Sequence, residues 1–389
     1  MTTPTHWMSL TVQDLRVALV ATGLSHVQRG YESFVLDLYE ALKDVADVTL
    51  FKGSGPDAPP NVYTVPTLRR NAPLVQKLCP NDESKRYLYE QISTALSGWA
   101  LGYWKNYSVI HFCDPTFGNV LNRLKKQFNY DYQLLFANCG PFQPEDYRQF
   151  DHIQEFTPLF LEQAKGTIRK TRLHLNPMGI WTERFRTDSD QAALRREFDI
   201  PQDKFVILCV ASLDDPAKRI RFLIDAVAGL NDDRIHLVLA GQNENTPYAQ
   251  GTLAEAEAKL SGRFRYVAVP SLRIAEIYNA SDLFILPSLQ EGFGKVYLEA
   301  MASRMPLLVH NYPNTQWIVK TPESLIDMED MGALQAAIAL MRDESGTGLS
   351  DLARSMAEIN FEWVNERFHW KNLRDEYLQM YERILLLPA

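Results

Sequence analysis

The segment from Leu283 to Ser303 constrains the fold more than any other part of the chain. Four apolar residues, Leu283 to Leu286, run straight into Pro287-Ser288-Leu289-Gln290-Glu291-Gly292-Phe293-Gly294, and a helical pattern follows from Val296 to Ser303. A short, wholly apolar strand is what a parallel sheet covered on both faces requires. Strand, glycine loop and helix make one βα unit, and in open α/β sheets ligands bind where such loops leave the carboxyl ends of the strands. Gly292 and Gly294 let the backbone approach a ligand closely, and the N–H groups of a first helical turn suit a phosphate. Glu291 and Glu299 bracket that cradle as acceptors for sugar hydroxyls. The local chemistry points to a phosphorylated sugar compound.

The rest of the chain repeats the theme. Apolar runs at Leu15 to Val20, Val48 to Phe51, Val109 to Phe112 and Gln133 to Asn138 read as strands of a first half. Those at Phe205 to Val210, Ile235 to Ala240, Phe264 to Val267, Asp282 to Leu286 and Leu307 to Val309 read as strands of a second. Helical patterns lie between them, including Tyr31 to Lys43, which predicts parallel sheets with right-handed crossovers. Residues 53–107 are rich in proline and then in helical pattern. A length of 389 residues suits two domains of ordinary size. No stretch is apolar enough to span a bilayer, and residues 1–14 lack the charged and apolar regions of a signal peptide. Cys79, Cys113, Cys139 and Cys209 are scattered without zinc spacing, as expected of reduced thiols in a cytosolic protein. The net charge of −8 is uneven, near +1 over residues 1–177 and near −9 over the remainder. Neither half carries the basic footprint of a nucleic-acid binder.

Glu291-Gly292-Phe293-Gly294, with Glu299-Ala300 in register, resembles the E-x7-E motif of the retaining glycosyltransferases of family 4, which have the GT-B architecture. The resemblance implies two Rossmann-like doubly wound domains facing a cleft and a nucleotide-diphosphate sugar donor. In its terms Glu291 stabilises positive charge on the reacting sugar and Glu299 accepts from the ribose hydroxyls. The backbone of Gly292, Phe293 and Gly294 holds the diphosphate. After the strand Phe205 to Val210 the family reads V-G-R-x-x-x-x-K-G. Here Lys218 matches the lysine, Ala211 and Ser212 replace Gly and Arg, and Arg219 stands beside Lys218 as a second cation for the diphosphate. Asn176-Pro177-Met178-Gly179-Ile180 resembles the linker into the family's second domain, with Trp181 in place of an Asp. Phe361-Glu362-Trp363 and Trp370 to Leu386 resemble its C-terminal helices. The boundaries implied are 1–177 for an acceptor-side domain, 178–365 for a nucleotide-sugar domain, and 366–389 for a helix that packs back on the first.

The acceptor side is read from three loops. Gly23 to Glu32 resembles the glycine-rich loop near the donor phosphates; Gly30 would admit phosphate oxygens to a helix N-terminus, and His26 and Arg29 are acceptor or phosphate candidates. A lone loop histidine is more often simply exposed. His111-Phe112-Cys113-Asp114-Pro115 follows the family's H-x-H-x-P, but its second histidine is Cys113, so Cys113 and Asp114 become the candidates there. Asn138 to Pro144 and Asp151 to Gln154 match segments of the family members that read G-H-V-x-R-G-x-E at the first of these loops; Asn138-Cys139-Gly140-Pro141 is a turn or an acceptor contact. Asp188-Ser189-Asp190 is formally a metal-binding D-x-D, but its helix-start position reads as capping. No other residues form a metal site.

The reading is a metal-independent, retaining enzyme without cofactor that moves a sugar from a nucleotide-diphosphate sugar, UDP ahead of GDP, to a glycan, lipid-linked sugar or small molecule. Its expected place is the cytoplasm, with peripheral contact at the inner face of the membrane through Lys165, Arg169, Lys170 and Arg172. The alternatives are a sugar-nucleotide 2-epimerase and a non-catalytic sugar-nucleotide binder.

Overall fold

The apolar runs become strands of two separate parallel sheets. The structure is a computed structural model, and it describes residues 15–27, 30–80, 82–140, 142–241 and 246–386. In the first sheet the strands are β1 (Arg16–Ala21), β2 (Asp47–Lys52), β3 (Val62–Thr64), β4 (Val109–Phe112), β5 (Gln133–Ala137), β6 (His152–Glu155) and β7 (Leu173–Leu175), in the order β3-β2-β1-β4-β5-β6-β7. The second sheet holds β8 (Phe205–Val210), β9 (Ile235–Ala240), β10 (Phe264–Val267), β11 (Leu283–Leu286), β12 (Leu307–His310) and β13 (Leu325–Ile326), ordered β10-β9-β8-β11-β12-β13. Neighbouring strands within both sheets pair in parallel, for example Val17 beside Val109 and Leu283 beside Ile207. Each sheet runs outward from its first strand in both directions. The order therefore reverses beside β1 in one unit and beside β8 in the other, and such switch points are where doubly wound sheets bind ligands.

Four strands, β3, β6, β7 and β13, go beyond the apolar runs. β6 shows why: its sequence is His152-Ile153-Gln154-Glu155, mostly polar, yet every residue is buried. Polar side chains can line a core when partners satisfy them. Gln154 Nε2 donates to the Asn176 carbonyl and to the Tyr377 hydroxyl, both at 2.8 Å.

Two compact units divide the chain: residues 1–179 with 370–389, and residues 180–369. The first unit is completed by the C-terminal helix Trp370–Leu386. Trp370, Leu373, Tyr377, Met380, Tyr381 and Ile384 recur at helical spacing and all are fully buried. The Tyr381 hydroxyl lies 2.8 Å from His111 Nδ1 on β4, and Trp370 stacks on Phe34 at 6.2 Å between ring centroids. At the turn out of the first unit, a Cβ on Gly179 would come within 2.5 Å of the Trp370 ring, so glycine is the residue that fits. Among the described residues no helix is long and apolar enough to cross a membrane.

Candidate functional site

Lys218 and Glu291 converge on the two sides of the second unit's switch point. Lys218 ends a short 3-10 turn, Pro216–Lys218, in the loop after β8; Glu291 lies in the loop after β11. The Lys218 ammonium donates to both Glu291 carboxylate oxygens, at 2.7 and 2.8 Å. Their side chains are 24% and 12% exposed, so the pair is partly shielded but still open to solvent. A cation and a carboxylate 73 residues apart in sequence thus share one spot at the carboxyl edge of the sheet.

The loop that presents Glu291 is fixed at both ends. Gly294 sits at φ +83° as the residue before the helix Lys295–Ala302, and a Cβ there would approach the Tyr297 ring to 2.2 Å. Glycine is therefore required twice over, by dihedral and by space. Phe293 points inward, with only 3% exposure, and meets Phe368 edge-on. Glu291 itself is held by its backbone. Its N–H donates to the Tyr312 hydroxyl at 2.8 Å, and its carbonyl accepts from that hydroxyl at 2.8 Å and from Asn314 Nδ2 at 3.3 Å. On the next helix turns Glu299 accepts from the Tyr278 hydroxyl at 3.0 Å. Sequence reasoning missed Tyr312, Asn314 and Tyr278. Tyr312 and Asn314 could have been sought at the carboxyl end of the strand next to β11; nothing in sequence marks Tyr278.

The other donor-side candidates are placed as follows. Ser212 accepts from the Asp214 N–H at 3.4 Å, beside Asp215, which caps the turn carrying Lys218. Arg219 adopts a left-handed conformation, φ +52°, and its guanidinium turns away from its neighbour. It donates to the carbonyls of Pro287 and Met328, at 3.3 and 2.6 Å, and packs on Phe222. Arg219 thereby ties the β8 loop to the β11 loop. Gly30 opens the helix Gly30–Leu42, with nothing within 4 Å of an added Cβ.

At the switch point of the first unit a buried polar cluster forms. Asp114, fully buried after β4, accepts from the Thr22 hydroxyl at 2.7 Å, the Thr22 N–H at 3.3 Å, and the hydroxyls of Tyr31, at 2.6 Å, and Tyr87. His26 is not an exposed loop histidine: Nε2 lies 2.8 Å from Glu90 and Nδ1 3.2 Å from Ser54. Burial alone would raise the Glu90 carboxyl, but hydrogen bonds from His26 and Arg70 outweigh it and hold the group at about 2. Cys113 is buried with its sulfur 3.1 Å from that of Cys139, and burial pushes its thiol up. Arg29 lies outside the described residues.

Two further expectations can be placed. Asp190 caps the helix Gln191–Glu197, accepting from the N–H groups of Ala192 and Ala193. In the basic cluster, Lys165 pairs with Glu162, and Arg172 donates to the carbonyls of Asp151 and Arg148.

Residues 190–362 match the family model of the group 1 glycosyl transferases. A probable sucrose-phosphate synthase of Thermosipho melanesiensis is 24% identical over 222 residues, which is 55% of this chain and 48% of that protein. The chain spans about half the length of the curated relatives it matches. In structure it is similar to the sucrose-phosphate synthase of Thermosynechococcus elongatus, with a TM-score of 0.76 and 20% identity, over 96% of this chain and 99% of the other. It is also similar to Anabaena HepE in complex with UDP-glucose, with a TM-score of 0.72 and 15% identity, over 95% and 99%. The fold is the two-domain, Rossmann-like GT-B fold.

Proposed function

We propose that the chain is a glycosyltransferase of the retaining family 4 type, drawing its sugar from a nucleotide-diphosphate sugar without a metal ion. The observation that carries this reading is the meeting of Lys218 and Glu291 beside a glycine-led helix N-terminus at a sheet switch point. UDP is preferred to GDP as the nucleotide, in line with the UDP-glucose held by the similar Anabaena HepE.

In this reading the Lys218–Glu291 pair opens when the donor enters. Lys218 moves to the diphosphate, together with the backbone at Gly292 to Gly294 and the N-terminus of the helix Lys295–Ala302. Glu291 is left facing the sugar, and Glu299 takes the ribose hydroxyls. As the bond from the anomeric carbon to the diphosphate oxygen breaks, its electron pair leaves with the nucleotide diphosphate. Negative charge grows beside Lys218 and positive charge grows on the sugar beside Glu291. Both groups therefore stabilise the transition state more than the bound donor. The acceptor hydroxyl bonds to the anomeric carbon and gives up its proton to the departing diphosphate. Retention is carried by the E-x7-E resemblance, and NMR of the first-formed anomer tests it.

The acceptor falls in the class of sugar-hydroxyl compounds: a glycan, a lipid-linked sugar or a small molecule. A lipid-linked acceptor would place the protein peripherally at the inner face of the membrane. A mass-spectrometric screen of nucleotide sugars against soluble and lipid-linked acceptors is the test. Transfer from a UDP-sugar, with release of UDP, is the expected result. Donor binding with neither transfer nor hydrolysis would overturn the reading in favour of a binder.

A further inference from the structure

We infer that Tyr312 is a positioning residue for Glu291, acting by clamping the backbone of that one residue. The inference rests on the function proposed above and adds to it a residue that reaches Glu291 through its backbone.

Glu291 sits in an irregular loop, between the end of β11 and the helix Lys295–Ala302. No sheet or helix ladder supplies partners for its N–H and carbonyl, and such groups need them when shielded from water. One phenol meets both needs. Its oxygen accepts from the Glu291 N–H at 2.8 Å, and its proton goes to the Glu291 carbonyl, also at 2.8 Å. A hydroxyl has one proton to give and lone pairs to receive, so a single phenol can serve both groups. Burial pushes the Tyr312 phenol up to about 12, so it keeps its proton at neutral pH and remains a donor.

The clamp is itself supported. Tyr312 leads the helix Pro313–Ile318 at the carboxyl end of β12, where its N–H is held by the Thr315 hydroxyl at 3.1 Å. The ring of His310 stacks on it with centroids 6.1 Å apart. Fully buried Asn314 adds a second donor to the Glu291 carbonyl at 3.3 Å. Two residues of one turn, Tyr312 and Asn314, therefore hold the peptide groups on both sides of the Glu291 Cα. Those planes fix where the Cα–Cβ bond points, and so the base from which the side chain reaches its carboxylate to 2.7 Å from Lys218. A carboxylate that must meet charge developing at one carbon atom depends on such direction, because a misplacement of about 1 Å costs roughly a hundredfold in rate.

Tyr312→Phe removes both hydrogen bonds at nearly constant volume. The expected result is a fall in kcat for cleavage of UDP-glucose of about tenfold to a hundredfold. Binding of free UDP should stay within about twofold, since Glu299 and the phosphate loop are unchanged. A residue that merely supported the fold would lower both, along with the melting temperature. Non-additivity makes the assignment specific. If Tyr312 acts through Glu291, then Tyr312→Phe should have little further effect in a Glu291→Gln background.

Hydrogen exchange of the peptide containing Glu291, without any ligand, reads the clamp directly; Tyr312→Phe should speed exchange there and leave β11 unchanged. Two failures are distinguishable. If Glu291→Gln cleaves donor as fast as the unmodified chain, or the unmodified chain cleaves none, the proposed function falls and the inference falls with it. If Glu291→Gln is slow while Tyr312→Phe matches the unmodified chain in both rate and exchange, the function stands and the role of Tyr312 is overturned.

Discussion

Glu299 and Lys218 separate two parts of the proposed site, nucleotide and leaving group. Glu299 accepts from Tyr278 and would accept from the ribose when donor binds. Glu299→Ala should therefore weaken donor and free UDP alike, by about 1.5–3 kcal/mol; calorimetry with UDP measures it. In the proposed function Lys218 meets a phosphate charge that exists before reaction and grows during it. Lys218→Ala should lower both donor affinity and kcat, which equilibrium binding and single-turnover rates resolve. At this scale the sequence names candidates where side chains stand in one contiguous pattern, as Glu291 and Glu299 do, and their roles rest on the proposed function. The sequence was not legible where burial decides. His26 and Asp114 stand in loops with no apolar run to hide them, yet both are enclosed by partners from distant segments, Glu90 and Tyr87 among them. Arg219 adjoins Lys218 in sequence, but a left-handed turn sends its guanidinium to the Pro287 and Met328 carbonyls. Tyr312 acts through backbone groups of another residue, which no motif records.

Among elements, the loop and helix from Glu291 to Ala302 depend on Gly294. Ala at this position would bring a Cβ into the Tyr297 ring and force a non-glycine residue to φ +83°. The strain alone is worth about 1–3 kcal/mol. Gly294→Ala should lower the unfolding free energy by at least that much and weaken UDP binding, as denaturant titration and calorimetry would show. The βα units themselves follow from short apolar runs: β8 and β9 coincide with theirs, and β11 falls one residue short at its start. β6 escaped because it buries His152, Gln154 and Glu155, and its burial depends on the Tyr377 and Tyr147 hydroxyls, supplied from elsewhere. An apolar-run criterion has no access to such compensation. The C-terminal helix was legible by its spacing, whereas its membership of the first unit follows from the fit of Trp370 and Tyr381 against Phe34 and His111.

Over the whole molecule, buried ionisable groups set an acid limit. Burial lowers His111 and His174 to about 3, and His152 and His236 to about 4, from an ordinary 6.5. Below pH 6.5 the unfolded chain gains protons at these four sites and the folded chain does not, so stability is lost as pH falls. Glu155 opposes this. Burial raises it from 4.5 to about 7, so its contribution is complete below pH 4.5 and is lost as pH rises to 7. Each proton of difference is worth about 1.4 kcal/mol per pH unit. Four histidines outweigh one glutamate, and the unfolding midpoint should fall steadily from pH 6.5 to 4.5. Glu155→Gln removes the opposing group and should make that fall steeper, as thermal melts across the range would record. The central claim, however, concerns charge at the reacting sugar, and one measurement meets it most directly: single-turnover cleavage of UDP-glucose by Glu291→Gln beside equilibrium binding of the intact donor. The substitution keeps the size of the side chain and removes its charge. A fall in kcat of about a hundredfold or more, with donor affinity changed only a few-fold, is the predicted result. Turnover close to that of the unmodified chain would contradict it.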